Sequence, residues 1–536
     1  MKNNLFFSKY KFIGIMAIIL LLQVITAFYF CTQKQGFHYD EYYSYYSSNV
    51  TYGLVPSDGE WKSTDEIKSE FMVMPDAGFS YKMVSLMQSY DVHPPFYYFV
   101  LHTVCSLTPG VFSKWQGLSI NLVFFVLSFL LLAKITSLLT NKNEKAVAAV
   151  CLLYGFSPAV LSGITFIRMY MMLTFFCLLF MYIHCKAIIQ DKKTLLGFYI
   201  PVIITTYLGF LTHYYFAVFL FFVGIVTFFS MVFIKKTRKH ATCYAASIVV
   251  GLLLAVMTFP SCLSHMFRGY RGTEATQAFF DMGNIRLRLS FFFNLINEYV
   301  FSNFFYVLLL IVFVLYLTDR YIKKKNKIKN SDWKQSPKKR IYLLVFMTII
   351  GYFLVVAKTA LLNAEEAIRY EMPIYGLVIL WIFVSLLYFL TNIGKEGSLK
   401  IRMIAFEVIV LATFALQIIG LANNKVLFLY EKDKENNAWA AQNSTATVAY
   451  LYHDVNQWMI WDDSEELMQY EKIYFTNLSH TDIDDAELQH AEKMYVYAVR
   501  DDLTEATLEQ LIDQNDNLNQ YEKIRELQYC DLYELK

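Results

Sequence analysis

The chain has 536 residues, of which 56% are hydrophobic, 18% are aromatic and only 17% are charged, and its formal net charge is +2. Soluble domains average about 45–50% apolar and about 25% charged residues, so this composition excludes an ordinary soluble domain and predicts a membrane protein. The lysine and arginine clusters lie beside apolar segments and form no basic face. This pattern excludes a nucleic-acid partner and indicates the lipid bilayer as the surroundings.

About eleven apolar segments are long enough to cross a membrane, because a hydrocarbon core of about 30 Å needs roughly 20 helical residues. No small-residue cleavage site follows the first of them, so we interpret it as a retained helix and not as a signal peptide. The segments are Phe12–Phe30, Trp115–Ala133, Ala146–Phe166, Met169–Cys185, Leu195–Leu211, Tyr214–Ile234, Ala241–Met266, Tyr299–Thr318, Ile341–Ala357, Met372–Thr391 and Met403–Ala422.

The segment from His93 to Leu107 is apolar but short, and it opens with two prolines. At about 1.5 Å per residue it would reach only ~22 Å as a helix, so we predict an interfacial helix on the outer membrane surface. Only if this segment does not cross do all the basic loops lie on the cytoplasmic side, as the positive-inside rule requires. Those loops are the amino terminus, Asn141–Lys145, Lys186–Lys193, Lys235–His240, Arg320–Arg340 and Lys395–Arg402.

The resulting topology is that of an integral protein of the cell membrane, which we interpret as a bacterial plasma membrane. Its amino terminus is expected to be cytoplasmic and its carboxyl-terminal domain extracytoplasmic. The outer side then receives the loop 31–114, the turns near Arg168 and His213, the loop from Phe267 to Glu298 and the turn from Asn363 to Glu371.

After about Asn423 the apolar runs shrink to strand length, as in ATVAYLYH, EKIYFTN, KMYVYAV and LQYCDLYEL, and polar segments with helical spacing separate them. Strands that alternate with helices predict a small α/β domain over residues 423–536. The expected fold class is therefore an α-helical polytopic membrane protein with an added α/β domain. The membrane domain would span 1–422, and its first outer loop (31–114) would carry juxtamembrane helices.

Two adjacent carboxylates, Asp40 and Glu41, follow the first apolar segment by about ten residues. At the membrane surface such a pair is suited to take a proton from an acceptor hydroxyl. One carboxylate would be the general base, and its neighbour would hold the acceptor or a metal ion. The alternative interpretation is a solvated loop end.

Two histidines and an aspartate are further candidates for the same side of the membrane. Asp91 and His93 precede Pro94 and Pro95, and His213 follows the fifth apolar segment. For Asp91 the alternative is a helix cap, since Asp before Pro is a common helix start. For His93 the alternative is a contact with lipid headgroups, and for His213 it is a structural hydrogen bond.

Arginines at the outer ends of apolar segments run against the positive-inside bias. Arg168 lies in FIRMYMML, and Arg369 with Tyr370 lies in AEEAIRYEMP. A guanidinium group can hold a phosphate through two parallel hydrogen bonds, although a single arginine in this position can also be a snorkelling residue. Two of them together indicate an anionic substrate at the membrane face. Arg268 and Arg271, in the outer loop after the seventh apolar segment, are further phosphate candidates with a weaker signal.

These motifs, taken as a set, resemble those of GT-C glycosyltransferases of the protein O-mannosyltransferase and aminoarabinose-transferase kind, a family 39-like group. The matching stretches are DEYYSY, DVHPPFYYFVLH, Ser157–Tyr170 with its RMY ending, THYY and RYEMP, in family order between Met1 and about Ala422. The resemblance implies a cell-envelope enzyme that transfers a hexosyl or pentosyl group from a polyprenyl-phosphate-linked donor. The acceptor would be a hydroxyl of a glycan, a lipid or a protein at the outer face.

The resemblance further implies Asp40 as the base, and Arg369 with Tyr370 at the donor phosphate. The family often has an acidic residue two positions before the arginine of RMY, where this chain has Phe166. The role of a divalent metal ion such as Mg²⁺ or Mn²⁺ therefore stays open, with Glu41 or Asp91 as a substitute ligand. We expect an inverting single displacement in which Arg369 and Arg168 stabilise the leaving phosphate.

Two rival functions remain at this point. A transporter or flippase of lipid-linked sugars would use the arginines to select the phosphate without breaking a bond. Transporters, however, usually carry polar residues near the midplane and internal repeats, whereas here the polar residues gather at one face. A non-catalytic membrane scaffold whose exterior domain binds a partner is the other rival.

Overall fold

The structure, a computed structural model, describes residues 2–49, 58–327, 336–393, 399–479, 483 and 485–536. The chain divides into two compact units. The first, which we call the membrane unit, comprises Met1–Cys31, Gln88–Tyr97 and Leu118–Leu427. The second, which we call the sheet unit, comprises Thr32–Met87, Tyr98–Gly117 and Phe428–Lys536. This division does not test the predicted domain boundary at residue 422, which stays a prediction.

The helices occur along the whole chain. Those before residue 195 are α1 (Lys2–Gln33), α2 (Tyr39–Asn49), α3 (Thr64–Ser69), α4 (Tyr81–Tyr90), α5 (Phe96–Ser106), α6 (Lys114–Leu139), α7 (Glu144–Gly155), α8 (Pro158–Thr165) and α9 (Tyr170–Gln190). Those that follow are α10 (Ile200–Thr212), α11 (Tyr215–Phe233), α12 (Ala241–Thr258), α13 (Ser261–Phe267), α14 (Tyr270–Phe280), α15 (Ile285–Leu295), α16 (Phe305–Lys325), α17 (Pro337–Thr359), α18 (Met372–Asn392), α19 (Leu399–Ala422), α20 (Asp433–Gln442), α21 (Ser464–Leu467), α22 (Ala486–Gln489) and α23 (Thr504–Asp513).

Within the described residues, 10 helices are long and apolar enough to cross a membrane, or 11 if the bent pair α7 and α8 forms one span. These helices correspond to the apolar segments of the sequence. The expectation of an α-helical polytopic membrane protein is therefore confirmed. The short helix α5 covers most of the segment from His93 to Leu107, and its eleven residues make it too short to cross. Its position at the membrane surface stays a prediction.

Proline explains the break between α7 and α8, whose axes differ by 52°. Pro158 stands in the first turn of α8, where its missing N–H removes a hydrogen bond to the preceding turn and its ring excludes a continuous helix. Every residue of α8 is buried, so the freed backbone groups must be satisfied inside the protein.

The sheet unit contains a six-stranded mixed sheet in the order β1-β3-β2-β4-β6-β5. Its strands are β1 (Glu60–Ser63), β2 (Thr447–Tyr452), β3 (Lys472–Asn477), β4 (Met494–Val499), β5 (Tyr521–Glu526) and β6 (Cys530–Leu535). The central strand β2 pairs in parallel with β3 and β4, whereas the other pairings are antiparallel. The four strand runs seen in the sequence are thus confirmed, and the small α/β region exists as expected.

Strands β1 and β5 were not foreseen, because both are edge strands with little apolar patterning. β5 has the sequence YEKIRE and is mostly exposed, and β1 has only four residues and comes from the loop that follows α2. An edge strand needs a partner on one side only, so it can form without the alternation that marks a half-buried strand.

Carboxyl groups are buried beneath this sheet. Asp463 accepts hydrogen bonds from the Tyr450 hydroxyl at 2.8 Å and from the Cys530 thiol at 3.1 Å. Burial, together with the nearby charges of Glu466 and Asp433, raises the pKa of Asp463 to about 7 despite these two hydrogen bonds. The group is therefore a source of pH-dependent stability.

We expect Asp463→Asn to flatten the pH dependence of unfolding. Because the folded-state pKa lies above its ordinary value of 3.8, the stability contributed by Asp463 is present at low pH and is lost as pH rises from about 4 to about 7. At about 1.36 kcal/mol per pKa unit, this loss is at most ~4 kcal/mol. Asparagine keeps the acceptor oxygen and removes the ionisation.

Thermal unfolding of the purified full chain, followed by tryptophan fluorescence between pH 4 and pH 8, measures this effect. The variant should unfold at a higher temperature than the wild type at pH 8 and should converge with it near pH 4. Asp513→Asn, at an exposed position of α23, is the matched control. Identical pH profiles for the wild type and Asp463→Asn would contradict the interpretation.

Candidate active site

The acidic pair that the sequence analysis singled out begins helix α2 in the sheet unit. His38 precedes the helix, and its Nδ1 atom accepts the backbone N–H of Asp40 at 3.0 Å. Glu41 in turn accepts the backbone N–H of His38 at 2.7 Å. Glu41 thus makes one half of a capping box, while His38 caps the second helical N–H instead of the third. His38 Nδ1 must be an acceptor here, because a backbone N–H can only donate.

Glu41 is fully buried and forms an ion pair with the equally buried Lys34, whose ammonium nitrogen lies 2.8 Å from the carboxylate. Lys34 also donates to the carbonyl oxygen of Phe428 at 2.8 Å and lies over the ring of Tyr430 at 5.0 Å. The side chain of Asp40, in contrast, keeps 25% of its surface exposed. The two neighbouring carboxylates therefore have different environments, and only Asp40 remains open to solvent.

Arg168 lies in the membrane unit at the junction of α8 and α9 and is only 2% exposed. The side-chain amide of Asn121 on α6 donates to the carbonyl oxygens of Ile164 at 3.0 Å and Phe166 at 2.7 Å. These bonds satisfy the carboxyl end of α8, whose last carbonyls have no partner within the helix. They hold the turn that places Arg168.

The guanidinium group of Arg168 contacts His93, which in turn contacts Asp91. Arg168 Nη2 lies 3.4 Å from His93 Nε2, and His93 Nδ1 lies 3.1 Å from the Asp91 carboxylate. A guanidinium group has no acceptor and a carboxylate has no donor, so His93 accepts at Nε2 and donates from Nδ1. Burial opposes ionisation of Asp91, but His93 and Arg168 outweigh it and lower the pKa of Asp91.

His213 lies between α10 and α11 and belongs to the same group. Its ring is 5.9 Å from that of His93 and 5.5 Å from that of Tyr170. Burial lowers the pKa of His213 well below its usual value, and the nearby His93 and Arg168 add to this effect. Its Nδ1 atom accepts the backbone N–H of Tyr215 at 3.0 Å, so the neutral ring carries its proton on Nε2.

Arg369 lies in a 3₁₀ helix, Ala364–Glu371, that leads into α18, and it is 4% exposed. Its guanidinium group lies over the rings of Phe166 and Tyr370 at 5.2 and 5.1 Å, which are cation–π distances. Its Nη2 atom donates to the Tyr370 hydroxyl at 3.3 Å, and Nη1 lies 3.5 Å from the carboxylate of Glu366. The hydroxyl of Tyr352 fixes the backbone by donating to the Tyr370 carbonyl at 3.1 Å.

Aromatic contacts join the two arginines into one site. The ring of Tyr370 is 5.9 Å from that of Tyr170 and 6.1 Å from that of Tyr215. We call the group the arginine–histidine cluster, and its members are Asp91, His93, Phe166, Arg168, Tyr170, His213, Tyr215, Arg369 and Tyr370. It brings together the pocket candidates that the sequence placed at four separate turns.

Two of the predicted pocket residues lie apart from these hydrogen bonds. Arg268 and Arg271 are exposed, and Arg271 forms an ion pair with Glu274 at 3.0 Å on the surface of α14. The structure also contains residues that sequence reasoning passed over. Phe166, where an acidic residue was expected from the family pattern, supplies an aromatic face to Arg369 instead. Glu371, the glutamate of the RYEMP motif, is fully buried next to the cluster. Its place in that motif is the sequence signal that could have identified it.

Within the described residues, no group of three or more histidine, cysteine, aspartate or glutamate side chains is placed to hold a metal ion. The role of a divalent metal ion, which the sequence left open, stays open.

No protein-family model and no curated protein matches this sequence, whereas solved structures match its fold. ArnT from Cupriavidus metallidurans bound to undecaprenyl phosphate is similar with a TM-score of 0.53 and 11% identity, over 97% of this chain and 98% of that chain. The Archaeoglobus fulgidus oligosaccharyltransferase in the apo form has a TM-score of 0.49 and 12% identity, over 96% of this chain and 70% of that chain. The likeness to ArnT shows that this chain has the GT-C fold, which confirms the fold expected from the motifs.

We expect Lys34→Met to destabilise the protein, because it leaves the carboxylate of Glu41 buried without its cation. Breaking a buried ion pair on one side typically costs about 3–5 kcal/mol, whereas replacing both partners costs much less. The double variant Lys34→Met with Glu41→Gln should therefore recover much of the loss. Thermal unfolding of the purified chain measures both.

Asp40→Asn is the control for this experiment, because Asp40 is the solvent-exposed member of the pair. Its unfolding temperature should match that of the wild type. A Lys34→Met variant as stable as the wild type would show that the ion pair does not hold the start of α2.

Proposed function

We propose that this chain is a glycosyltransferase that moves a sugar from a polyprenyl-phosphate-linked donor to an acceptor hydroxyl at the outer membrane face. The observation that carries the proposal is the convergence of Arg168 and Arg369, both almost fully buried, in one cluster of a protein with the GT-C fold. Buried guanidinium groups are expensive unless they serve an anion, and they match phosphate geometry better than any other side chain.

The donor phosphate is assigned to the arginine–histidine cluster. Arg168 is balanced by Asp91 through His93, and Arg369 is balanced by Glu366. These carboxylates neutralise the two guanidinium groups before the donor binds, so the empty cluster contains no unpaired buried positive charge. Neutral His213 adds an N–H donor without adding charge. This arrangement suits an anion whose charge increases as the reaction proceeds.

The reaction is proposed as a single displacement. Asp40 takes the proton of the acceptor hydroxyl while the acceptor oxygen forms a bond to the anomeric carbon of the sugar. The bond between that carbon and the phosphate oxygen breaks, and the polyprenyl phosphate leaves with the electron pair. The configuration of the anomeric carbon is inverted. Asp40 and not Glu41 is the base, because Glu41 already accepts the Lys34 ammonium group and the His38 N–H.

The location of the reaction follows from the basic loops of the sequence. The positive-inside rule assigns the amino terminus to the cytoplasm and places Asp40, Arg168 and Arg369 on the outer side. A lipid-linked donor and an acceptor such as a glycan, a lipid or a protein are both accessible there. The fold similarity to ArnT, which was solved with undecaprenyl phosphate, supports a donor of this class.

We expect Asp40→Asn to reduce sugar transfer by at least about 10²-fold, since a positioned base contributes roughly 10²–10⁴-fold. Donor binding should be retained, because the variant keeps the arginine–histidine cluster unchanged. Transfer is measured with purified protein and radiolabelled undecaprenyl-phosphate-linked sugars. Asp76→Asn, in an exposed loop of the sheet unit, is the matched control and should transfer at the wild-type rate. Wild-type turnover by Asp40→Asn would remove Asp40 from the mechanism.

We expect Arg369→Ala to weaken binding of undecaprenyl phosphate by roughly tenfold or more, since a hydrogen bond to a charged group contributes about 1.5–3 kcal/mol. Equilibrium binding of the lipid to the purified chain measures this change. Arg320→Ala, an exposed arginine at the predicted cytoplasmic end of α16, is the control and should bind normally. Equal losses for the two variants would indicate a general charge effect, and no loss for Arg369→Ala would contradict its assignment to the phosphate.

A further inference from the structure

Glu371 is a fully buried carboxyl group that follows directly after Arg369 and Tyr370. It occupies the cap position before α18 but makes no capping hydrogen bond with the helix. Within the described part of the chain, neither of its carboxyl oxygens has a hydrogen-bond partner. A buried carboxyl group in this state is costly unless it takes a proton or accepts hydrogen bonds from a bound molecule.

The hydroxyl groups nearest to Glu371 do not satisfy it. The hydroxyls of Tyr215, Tyr352 and Tyr375 lie within electrostatic range of its carboxyl group. The Tyr352 hydroxyl donates to the Tyr370 carbonyl at 3.1 Å, and the Tyr375 hydroxyl donates to the Ile368 carbonyl at 2.5 Å. The hydroxyl groups of Tyr352 and Tyr375 therefore donate to backbone carbonyls and not to Glu371.

The chemistry of the partner follows from this arrangement. The phosphate diester of a sugar-linked lipid only accepts hydrogen bonds and is repelled by an ionised carboxylate, so it fits Glu371 only when the carboxyl group is protonated. A hydroxyl group both donates and accepts, and it therefore fits the carboxyl group in either protonation state. A sugar ring presents several hydroxyls together. Glu371 follows the two phosphate candidates directly in the sequence and lies within electrostatic range of Tyr215 of the cluster, which suits a ligand with hydroxyls beside a phosphate.

We propose that Glu371 binds hydroxyl groups of the donor sugar and thereby distinguishes a sugar-bearing lipid from the bare polyprenyl phosphate. This inference rests on the proposed glycosyltransferase function and adds a specificity-determining residue to it. Arg369 and Tyr370 would hold the phosphate, which substrate and product share, while Glu371 would contact the group that is transferred. Loss of the sugar would then remove one set of contacts and favour release of the product lipid.

The test compares the affinities of the purified full chain in nanodiscs for two kinds of ligand. The first is undecaprenyl phosphate, and the second is a panel of undecaprenyl-phosphate-linked hexoses and pentoses. The wild type should bind at least one sugar-linked lipid more tightly than the bare lipid. Glu371→Gln and Glu371→Leu should lose roughly tenfold or more in affinity for that lipid, as expected for a hydrogen bond to a charged group. Their affinity for undecaprenyl phosphate should change less than about twofold.

Two controls separate the inference from the proposed function. Arg369→Ala should weaken both ligands alike, and Glu407→Gln, at an exposed residue of α19 paired with Lys145, should weaken neither. Normal binding of the sugar-linked lipid by both Glu371 variants would overturn the role of Glu371 and leave the proposed function in place. An equal loss for both ligands would also overturn it. Failure of the wild type to bind any undecaprenyl phosphate lipid would overturn the proposed function and the inference together.

Infrared difference spectroscopy gives a readout that a purely structural role would not change. The carboxyl bands of Glu371 should shift when the sugar-linked lipid binds and should stay unchanged with undecaprenyl phosphate. The shifted band should be absent in Glu371→Gln. A band that does not move with the sugar-linked lipid would contradict direct contact.

Discussion

The membrane unit depends on one constraint, which is that charged groups inside an apolar helix bundle need partners within the protein. Arg168 and Arg369 meet it in different ways. Arg168 reaches a carboxylate through an imidazole, whereas Arg369 lies between two aromatic rings and is paired with Glu366 at the edge. Both solutions hold the guanidinium group in place by directional contacts, so the site is largely organised before any substrate arrives.

Breaks in helices supply the backbone for this site. Arg168 lies where α8 gives way to α9, His213 lies between α10 and α11, and Arg369 lies in the 3₁₀ helix before α18. Irregular backbone inside a membrane protein is tolerated only where other groups satisfy it. Asn121 and Tyr375 do so here by donating to the freed carbonyl oxygens. The same side chains that repair the backbone thereby position the charged residues.

The candidate site also shows how adjacent residues of one chemical type acquire different roles. Asp40 and Glu41 are neighbours in the sequence. Glu41 nevertheless pairs with Lys34 and caps the start of α2, whereas Asp40 is partly exposed to solvent. Arg369 and Glu371 are two positions apart. Arg369 has a carboxylate and two aromatic rings as partners, whereas Glu371 has no hydrogen-bond partner among the described residues. From the sequence alone, the two residues of the acidic pair, or those of the RYEMP motif, cannot be assigned different roles. Their burial and hydrogen bonding depend on elements that are far away along the chain.

The sequence by itself determined the membrane class, the set of long apolar helices and the four inner strands of the sheet, because these follow from local hydrophobic runs that are visible in any window of the chain. It also indicated the four turns that carry the cluster. Only the tertiary structure decided that His93 contacts Arg168, that Phe166 replaces an acidic partner with an aromatic face, and that Glu371 is buried without a hydrogen-bond donor among the described residues. Such contacts join residues that are tens to hundreds of positions apart, and no local pattern encodes which of them will meet. The edge strands β1 and β5 escaped prediction for the same reason, since their pairing partners and not their own residues make them strands.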